Sequence, residues 1–411
     1  LGGQPGRAPG QAHGQAPAAQ FGCRKSGRDA TCSSTARGQT LRAGGTSQRP
    51  SGQAGGLSGL GKPAQGSPTP IGIARLAASA PLELVGKEVE YFRLPVRSLL
   101  NRVQSDRVGF MWSINPYRGC EFGCQYCYAR YTHEYLGLDP TEFEQKIYVK
   151  AEAARLLRRD LTPEKVLGEH IAIGAATDPY QPAERRFEVT RAVLETLLEF
   201  SQTLPGEGGL RLSLTTKSDL VLRDIPLLLK LSRRNRLHVN LSITTLHPRL
   251  ARALEPRAPR PDLRLETVRQ LNQAGISAGV FACPVLPGIT DKPSDLEALV
   301  AAAARAGARY LCSNVVFLMP SSQRTFFPFL EQKFPRLLKQ YRKWFARSGY
   351  APENYRREIS ALMGRLRAKH GLAGRWPDEA HVPDYSALAA GPRPQLALPF
   401  AQPQLALPFA S

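Results

Sequence analysis

Between residues 170 and 317 the chain alternates short apolar runs with longer runs of helical period, and this alternation restricts the fold more than any other feature. The apolar runs fall at 170–176, 210–216, 237–244, 276–285 and 310–317, each too short for a typical helix. Between them, 187–204, 218–234, 261–275 and 292–307 repeat apolar residues every three or four positions. Parallel strands need a long crossover and a helix is the usual one, so the pattern predicts a parallel sheet with outer helices. Counting 108–114 (Val-Gly-Phe-Met-Trp-Ser-Ile) as the first strand gives about six β-α units.

Directly after that first strand comes Asn115-Pro-Tyr-Arg-Gly-Cys-Glu-Phe-Gly-Cys-Gln-Tyr-Cys-Tyr-Ala-Arg130. Its CxxxCxxC spacing offers the thiolates of Cys120, Cys124 and Cys127 to one iron–sulfur cluster from a single tight loop. A closed structural site normally takes four protein ligands, so three imply an exchangeable group at the open iron. The alternatives are zinc with His133 as fourth ligand, a transient redox site, or buried apolar thiols. Ligand loops in barrels follow the C-terminal ends of strands, which is where this run stands.

The run, with aromatic Tyr126 before its last cysteine, resembles the radical S-adenosylmethionine (SAM) superfamily, and from about Val96 to Met319 the branch that includes spore photoproduct lyase. Ala176-Thr-Asp-Pro-Tyr-Gln-Pro-Ala-Glu184, Thr215-Thr-Lys-Ser-Asp219 and Leu241-Ser-Ile-Thr-Thr-Leu246 carry the rest of the likeness. It implies an α/β fold, a six-unit partial (β/α) barrel. It also implies a four-iron four-sulfur cluster on Cys120, Cys124 and Cys127, and SAM cleaved to a 5′-deoxyadenosyl radical. By the same resemblance Thr177 and Asp178 meet the methionyl amino group, Lys217 pairs with the carboxylate, Ser242 bonds ribose or carboxylate, and Tyr126 lies against adenine. A zwitterion needs one acidic and one basic partner, which suits these residue types. Taken singly, each is also an ordinary cap or turn residue. Tyr126 and Tyr128 flank Cys127 as the lyase's hydrogen-relaying tyrosines do. Where the lyase has its hydrogen-donating cysteine, this chain has Ala175 or Ala176. Cys283 is the candidate replacement, against the plainer reading of a buried structural thiol.

The chain of 411 residues carries a formal net charge of +21, which favours polyanionic partners through counterion release. Residues 1–75 hold nine basic side chains against Asp29 alone, and 324–375 hold thirteen against three acids. The first 75 residues are so poor in large apolar side chains that burial cannot offset their ordering entropy. The expected organisation is therefore a disordered basic tail at 1–75, or an over-extended start, then a lead-in at 76–107. The barrel follows at 108–320, a helical extension at 321–375 and a flexible tail at 376–411. In 334–349 the apolar Phe334, Leu337, Leu338, Tyr341, Trp344 and Phe345 recur at helical spacing, with Arg336, Lys339, Arg342, Lys343 and Arg347 between them. The aromatics are expected in the core and the basic face toward nucleic acid. The first residue is not Met, which suggests a fragment or an alternative start.

No apolar stretch reaches the ~18 residues of a membrane helix, and the start shows no secretory signal. Seven cysteines, three of them clustered, do not suit a disulfide framework, so a reducing cytoplasm is expected. At the C-terminus Gln-Leu-Ala-Leu-Pro-Phe occurs twice, from Gln395 to Phe400 and from Gln404 to Phe409. It resembles the peptide by which bacterial polymerases and repair proteins dock on the sliding clamp, Leu and Phe filling an apolar groove. The reading is a cytoplasmic enzyme acting on DNA or a DNA lesion, reduced by a donor such as flavodoxin or ferredoxin. The rivals are radical SAM chemistry on RNA, a peptide or a small molecule, and a non-enzymatic, metal-stabilised clamp adaptor.

Overall fold

Among residues 70–104, 108–204 and 209–374, which the computed structural model describes, eleven strands form two sheets. In chain order they are β1 (Leu82–Val85), β2 (Glu90–Arg93), β3 (Leu100–Arg102), β4 (Trp112–Ile114), β5 (Tyr117–Arg118) and β6 (Lys146–Val149). β7 (His170–Ile173), β8 (Arg211–Thr216), β9 (Arg236–Ser242), β10 (Ser277–Val285) and β11 (Leu311–Val315) follow. All of them lie in the unit Gly66–Ser411. Cys23, Cys32, residues 1–69, the tail at 376–411 and both copies of the tandem motif lie outside the described residues, whereas the end of the basic tail expected to be disordered to residue 75 instead enters a helix, Gly72–Ala78.

The larger sheet runs β11-β10-β9-β8-β7-β4-β3. Its six strands from β4 to β11 pair in parallel with their successors, and β3 closes one edge antiparallel to β4. This is the six-unit partial barrel expected from the alternation. β7 is buried at every position and β9 at all but its first, because a covered parallel sheet hides both faces of its strands. Gly279 in β10 serves close packing: a Cβ there would come within 2.3 Å of the Tyr310 ring. That ring crosses beneath the sheet to bond Asn240 at 2.6 Å.

Helices Val189–Thr203, Ile225–Arg234, Pro261–Gln273 and Pro293–Arg305 occupy the runs of helical period. The second starts later than its run, which begins at Ser218. The Ser218 hydroxyl accepts from the Leu220 amide at 3.2 Å, a 3₁₀ turn covers Asp219–Asp224, and the α-helix begins only at Ile225. Pro226 explains the delay, since its ring collides with the carbonyl four residues back and fits only the first turn of a helix.

The smaller sheet, β1-β2-β6-β5, draws two strands from the lead-in and two from either side of the cysteine run. On the far side of that run, Pro335–Trp344 is the expected amphipathic helix. Tyr341 and Phe345 are buried in one apolar cluster with Cys120, Cys124, Phe122, Tyr126 and Phe326. Arg336, Lys339, Arg342, Lys343 and Arg347 are exposed. Burying a phenyl ring stabilises by about 1.5–3 kcal/mol, so the aromatic face secures this helix against Pro320–Lys333, where Tyr341 meets Phe326, and that helix in turn holds the cysteine loop through Ser322.

Candidate active site at the cysteine loop

The loop turns out of β5 at Gly119, whose φ of +81° suits glycine alone. A Cβ at this point would stand 2.7 Å from the Lys146 carbonyl and 2.9 Å from that of Phe143. Backbone bonds then tie the loop down on three sides. The Cys120 amide donates to Phe143 at 3.1 Å, the Gln125 amide to Leu254 at 2.9 Å, and the Ser322 hydroxyl to the Cys127 carbonyl at 3.0 Å. Arg130, fully buried, donates to the Cys124 carbonyl at 3.2 Å and pairs with Glu144 at 2.6 Å.

All three thiols are free, Cys120 and Cys124 buried and Cys127 half-buried. Burial pushes Cys120 and Cys127 up and Cys124 to about 12, so thiolates at these positions need a cation in contact. Among the described residues no three His, Cys, Asp or Glu side chains converge on one point as a lone ion would require. A four-iron cube would bond each cysteine at a different corner, a demand that does not require the three thiols to meet at one point. His133, the alternative fourth ligand, bonds the Lys146 carbonyl through Nε2 at 3.1 Å, its ring lies edge-on to Phe143 and Tyr148, and its Nδ1 is buried without a hydrogen-bond partner.

The strand ends bring the other expected residues to this loop. Thr177, after β7, donates its hydroxyl to the Gly119 carbonyl at 2.7 Å and accepts from Gln181 at 3.0 Å. Asp178 accepts from the Thr216 hydroxyl at 2.6 Å and from the amides of Lys217 and Tyr180 at 2.7 and 2.9 Å. The two residues therefore brace the loop against β8 in this structure. Burial raises the Asp178 carboxyl despite those bonds. Lys217, at the end of β8, holds its Nζ 6.0 Å from the centre of the Tyr126 ring. Burial works against its charge, but Cys124 and Glu255 outweigh that and raise its pKa. Ser242 ends β9, buried, with its carbonyl accepting from Arg264 at 2.9 Å.

Sequence reading missed the polar group beneath Tyr126. Glu255, just past helix Pro248–Leu254, accepts from the Tyr126 hydroxyl and from Thr244 at 2.9 Å, and pairs with Arg264 at 2.6 Å. The side chains of Glu255 and Arg264 are each only 1% exposed. Burial alone would raise the Glu255 carboxyl, but the Arg264 guanidinium and then Lys217 hold it below the usual range. Thr244 and Thr245 lie inside a quoted motif, but nothing in the sequence marks Glu255 as buried.

Tyr128 is 43% exposed, and its hydroxyl donates to the Ala175 carbonyl. Cys283 lies half-buried in β10, its Sγ 3.9 Å from the Cys312 carbonyl and its own carbonyl accepting from Thr244 at 3.3 Å. Burial pushes its thiol to about 12. The Cys283 backbone thus reaches the Tyr126 network while its sulfur turns toward β11.

Three free cysteines on one loop after the first parallel strand of a partial barrel are what a cluster-dependent cofactor enzyme would need. The sequence profile of the radical SAM superfamily matches residues 114–301. An uncharacterized protein of Mycobacterium tuberculosis (strain ATCC 25618 / H37Rv) is 33% identical over 288 residues, covering 70% of this chain and 82% of its own. One from Methanocaldococcus jannaschii is 27% identical over 251 residues, 61% of this chain and 86% of its own. A structure of spore photoproduct lyase complexed with dinucleoside spore photoproduct superposes with a TM-score of 0.48 at 18% identity. That superposition covers 68% of this chain and 80% of the lyase. The chain belongs to the radical SAM superfamily. It is therefore an enzyme using a four-iron four-sulfur cluster and SAM, and the adaptor reading falls away.

Proposed function

We propose that this radical SAM enzyme acts on DNA, at a lesion or an altered base. The observation that carries the reading is the basic row Arg336, Lys339, Arg342 and Lys343. These side chains are exposed and, among the described residues, form no ion pair. Their helix packs on Pro320–Lys333, the helix that lies against the cysteine loop through Ser322, so the row stands on the outer side of the layer that covers the reaction centre. Unpaired surface cations on a chain of +21 attract a phosphate backbone.

When bound and reduced, the cluster supplies an electron to the sulfonium of SAM. The chain's residues position that substrate. Lys217, charged and without an ion pair among the described residues, takes its carboxylate. Tyr126 is fixed from below by Glu255 and Thr244 as an apolar wall for adenine, and Ser242 lies at the ribose. Thr177 and Asp178 hold the loop and leave spare lone pairs for the amino group. Ala175 supplies no thiol, so reversal of spore photoproduct itself is not the assigned reaction. Tyr128 and Cys283 are the candidates for returning a hydrogen.

Lys217→Met is expected to weaken SAM binding about 100-fold, as loss of one partner of a desolvated charge pair does. Calorimetry on the reconstituted protein checks this, and unchanged affinity would assign the carboxylate to another cation. For the substrate, changing Arg336, Lys339, Arg342 and Lys343 to Gln should lower the slope of log affinity for duplex DNA against log salt by about 3 to 4. An unchanged slope, or no DNA binding by the parent, would favour RNA, a peptide or a small molecule.

The tandem motif from Gln395 to Phe400 and from Gln404 to Phe409 supports docking on a sliding clamp. Three apolar anchors of about 2 kcal/mol each, less ordering costs, correspond to roughly micromolar affinity per copy. A flavodoxin or ferredoxin would supply the electron. Among the described residues no helix is long and apolar enough to cross a membrane, which is compatible with a cytoplasmic site of action.

A further inference from the structure

Beyond Cys127 the chain makes one 3₁₀ turn, Tyr128–Arg130, and one helical turn, Tyr131–Glu134. Tyr128, Tyr131 and Tyr135 are spaced three and four residues apart and so share a face of this segment. Tyr135 is 61% exposed, Tyr131 partly so, and their rings meet edge-to-face at 5.5 Å, which leaves ring faces open. Tyr131 lies within electrostatic reach of Cys127 at one end and of Arg118 at the other. The ledge therefore leads from the cluster ligands outward.

Arg118 underlies it. One of its guanidinium nitrogens bonds the Thr132 carbonyl at 3.5 Å, and its Nε is buried without a partner. Lys150, 4% exposed, is near enough to repel it, and its Nζ donates to the Asn115 carbonyl at 2.6 Å. Among the described residues neither cation has a carboxylate partner. Two adjacent cations without a counterion, beneath exposed aromatic rings, match a ligand that joins an anion to a flat ring.

We infer that Tyr131, Tyr135 and Arg118 form a substrate ledge that seats one strand of DNA at an unpaired base. The rings stack on nucleobases and the guanidinium meets the adjoining phosphate. The inference rests on the DNA reading above and adds the place where the strand enters. Stacking of this kind tolerates any base, so the ledge holds the strand while the barrel mouth selects what reacts.

The test measures anisotropy of a short labelled oligothymidylate on the reconstituted full chain with SAM, across a salt series. Changing Tyr131 and Tyr135 together to Ala should weaken binding about 10- to 100-fold, while changing both to Phe should stay within about twofold of the parent. Arg118→Gln should lower the salt slope by about one, a change that loss of packing alone does not produce. Equal iron content and thermal transition in the Phe and Ala pairs establish that both fold. If the parent binds DNA but the Ala pair binds as tightly and Arg118→Gln keeps the slope, the ledge is wrong and the DNA reading stands. If the parent binds neither single-stranded nor duplex DNA, or prefers the matching oligouridylate, DNA as the occupant is overturned with it.

Discussion

Cys124→Ala is expected to bring 5′-deoxyadenosine formation from SAM and dithionite down to the level of a protein-free control, with the cluster iron lost. Cys124 is the middle thiol of the run, buried, and its carbonyl is held by Arg130. Two thiolates cannot retain a cube that already has one corner without a protein ligand. The loop itself should survive the change. Gly119, the Cys120 amide, the Gln125 amide and the Cys127 carbonyl keep their partners, none of which involves the Cys124 sulfur. The variant should therefore melt like the parent stripped of iron, which separates loss of a ligand from loss of the fold. Cys312→Ala, on the edge strand β11, is the matched control and should keep its iron. Retained product in Cys124→Ala would mean that the electron reaches SAM from some other centre.

Much of this was readable from residue order because the signals are local. β7 to β11 are short runs rich in apolar residues, and their helices repeat at helical period, so each element is identifiable within its own ten or fifteen residues. The cysteine spacing is equally local. The smaller sheet was not legible, since β1, β2, β5 and β6 have two to four residues each. Such strands carry little alternation, and β2 finds β6 across more than fifty residues of chain. The Glu255 network failed for a different reason. Glu255 and Arg264 are nine positions apart and Tyr126 far upstream, and only folding brings the three together. In a chain with fifty-five basic and thirty-four acidic side chains, nothing local distinguishes a buried pair from the exposed ones around it. Thr177 and Asp178 show the intermediate case. Their place beside the cysteines followed from the motif, but their bonds to Gly119, Thr216 and Lys217 required the fold.

Glu255→Gln is expected to destabilise the folded protein by about 3–5 kcal/mol, the usual result when one member of a buried ion pair is removed. The pair is enclosed, and what remains is worse than an empty space: Arg264 keeps its charge with only the carbonyls of Ser242 and Pro259 to receive it. The amide cannot restore the pairing: its one oxygen can still accept from Tyr126 and Thr244, but its NH₂ then faces the Arg264 guanidinium, donor against donor. Arg264→Met alone should cost a similar amount, leaving Glu255 with Lys217 as the other cation that acts on it. Made together, Glu255→Gln and Arg264→Met should cost clearly less than the sum, since no charge is then stranded. Urea unfolding of the four proteins measures this coupling, and simple additivity would show that the two side chains act independently. The consequence for function lies in Tyr126, whose hydroxyl bonds Glu255 and Thr244. With Glu255→Gln the Tyr126 bond loses its charge assistance, and the ring is held less firmly beneath Lys217. SAM affinity should then fall together with stability, whereas a purely structural pair would lower stability and leave the affinity of the folded fraction unchanged.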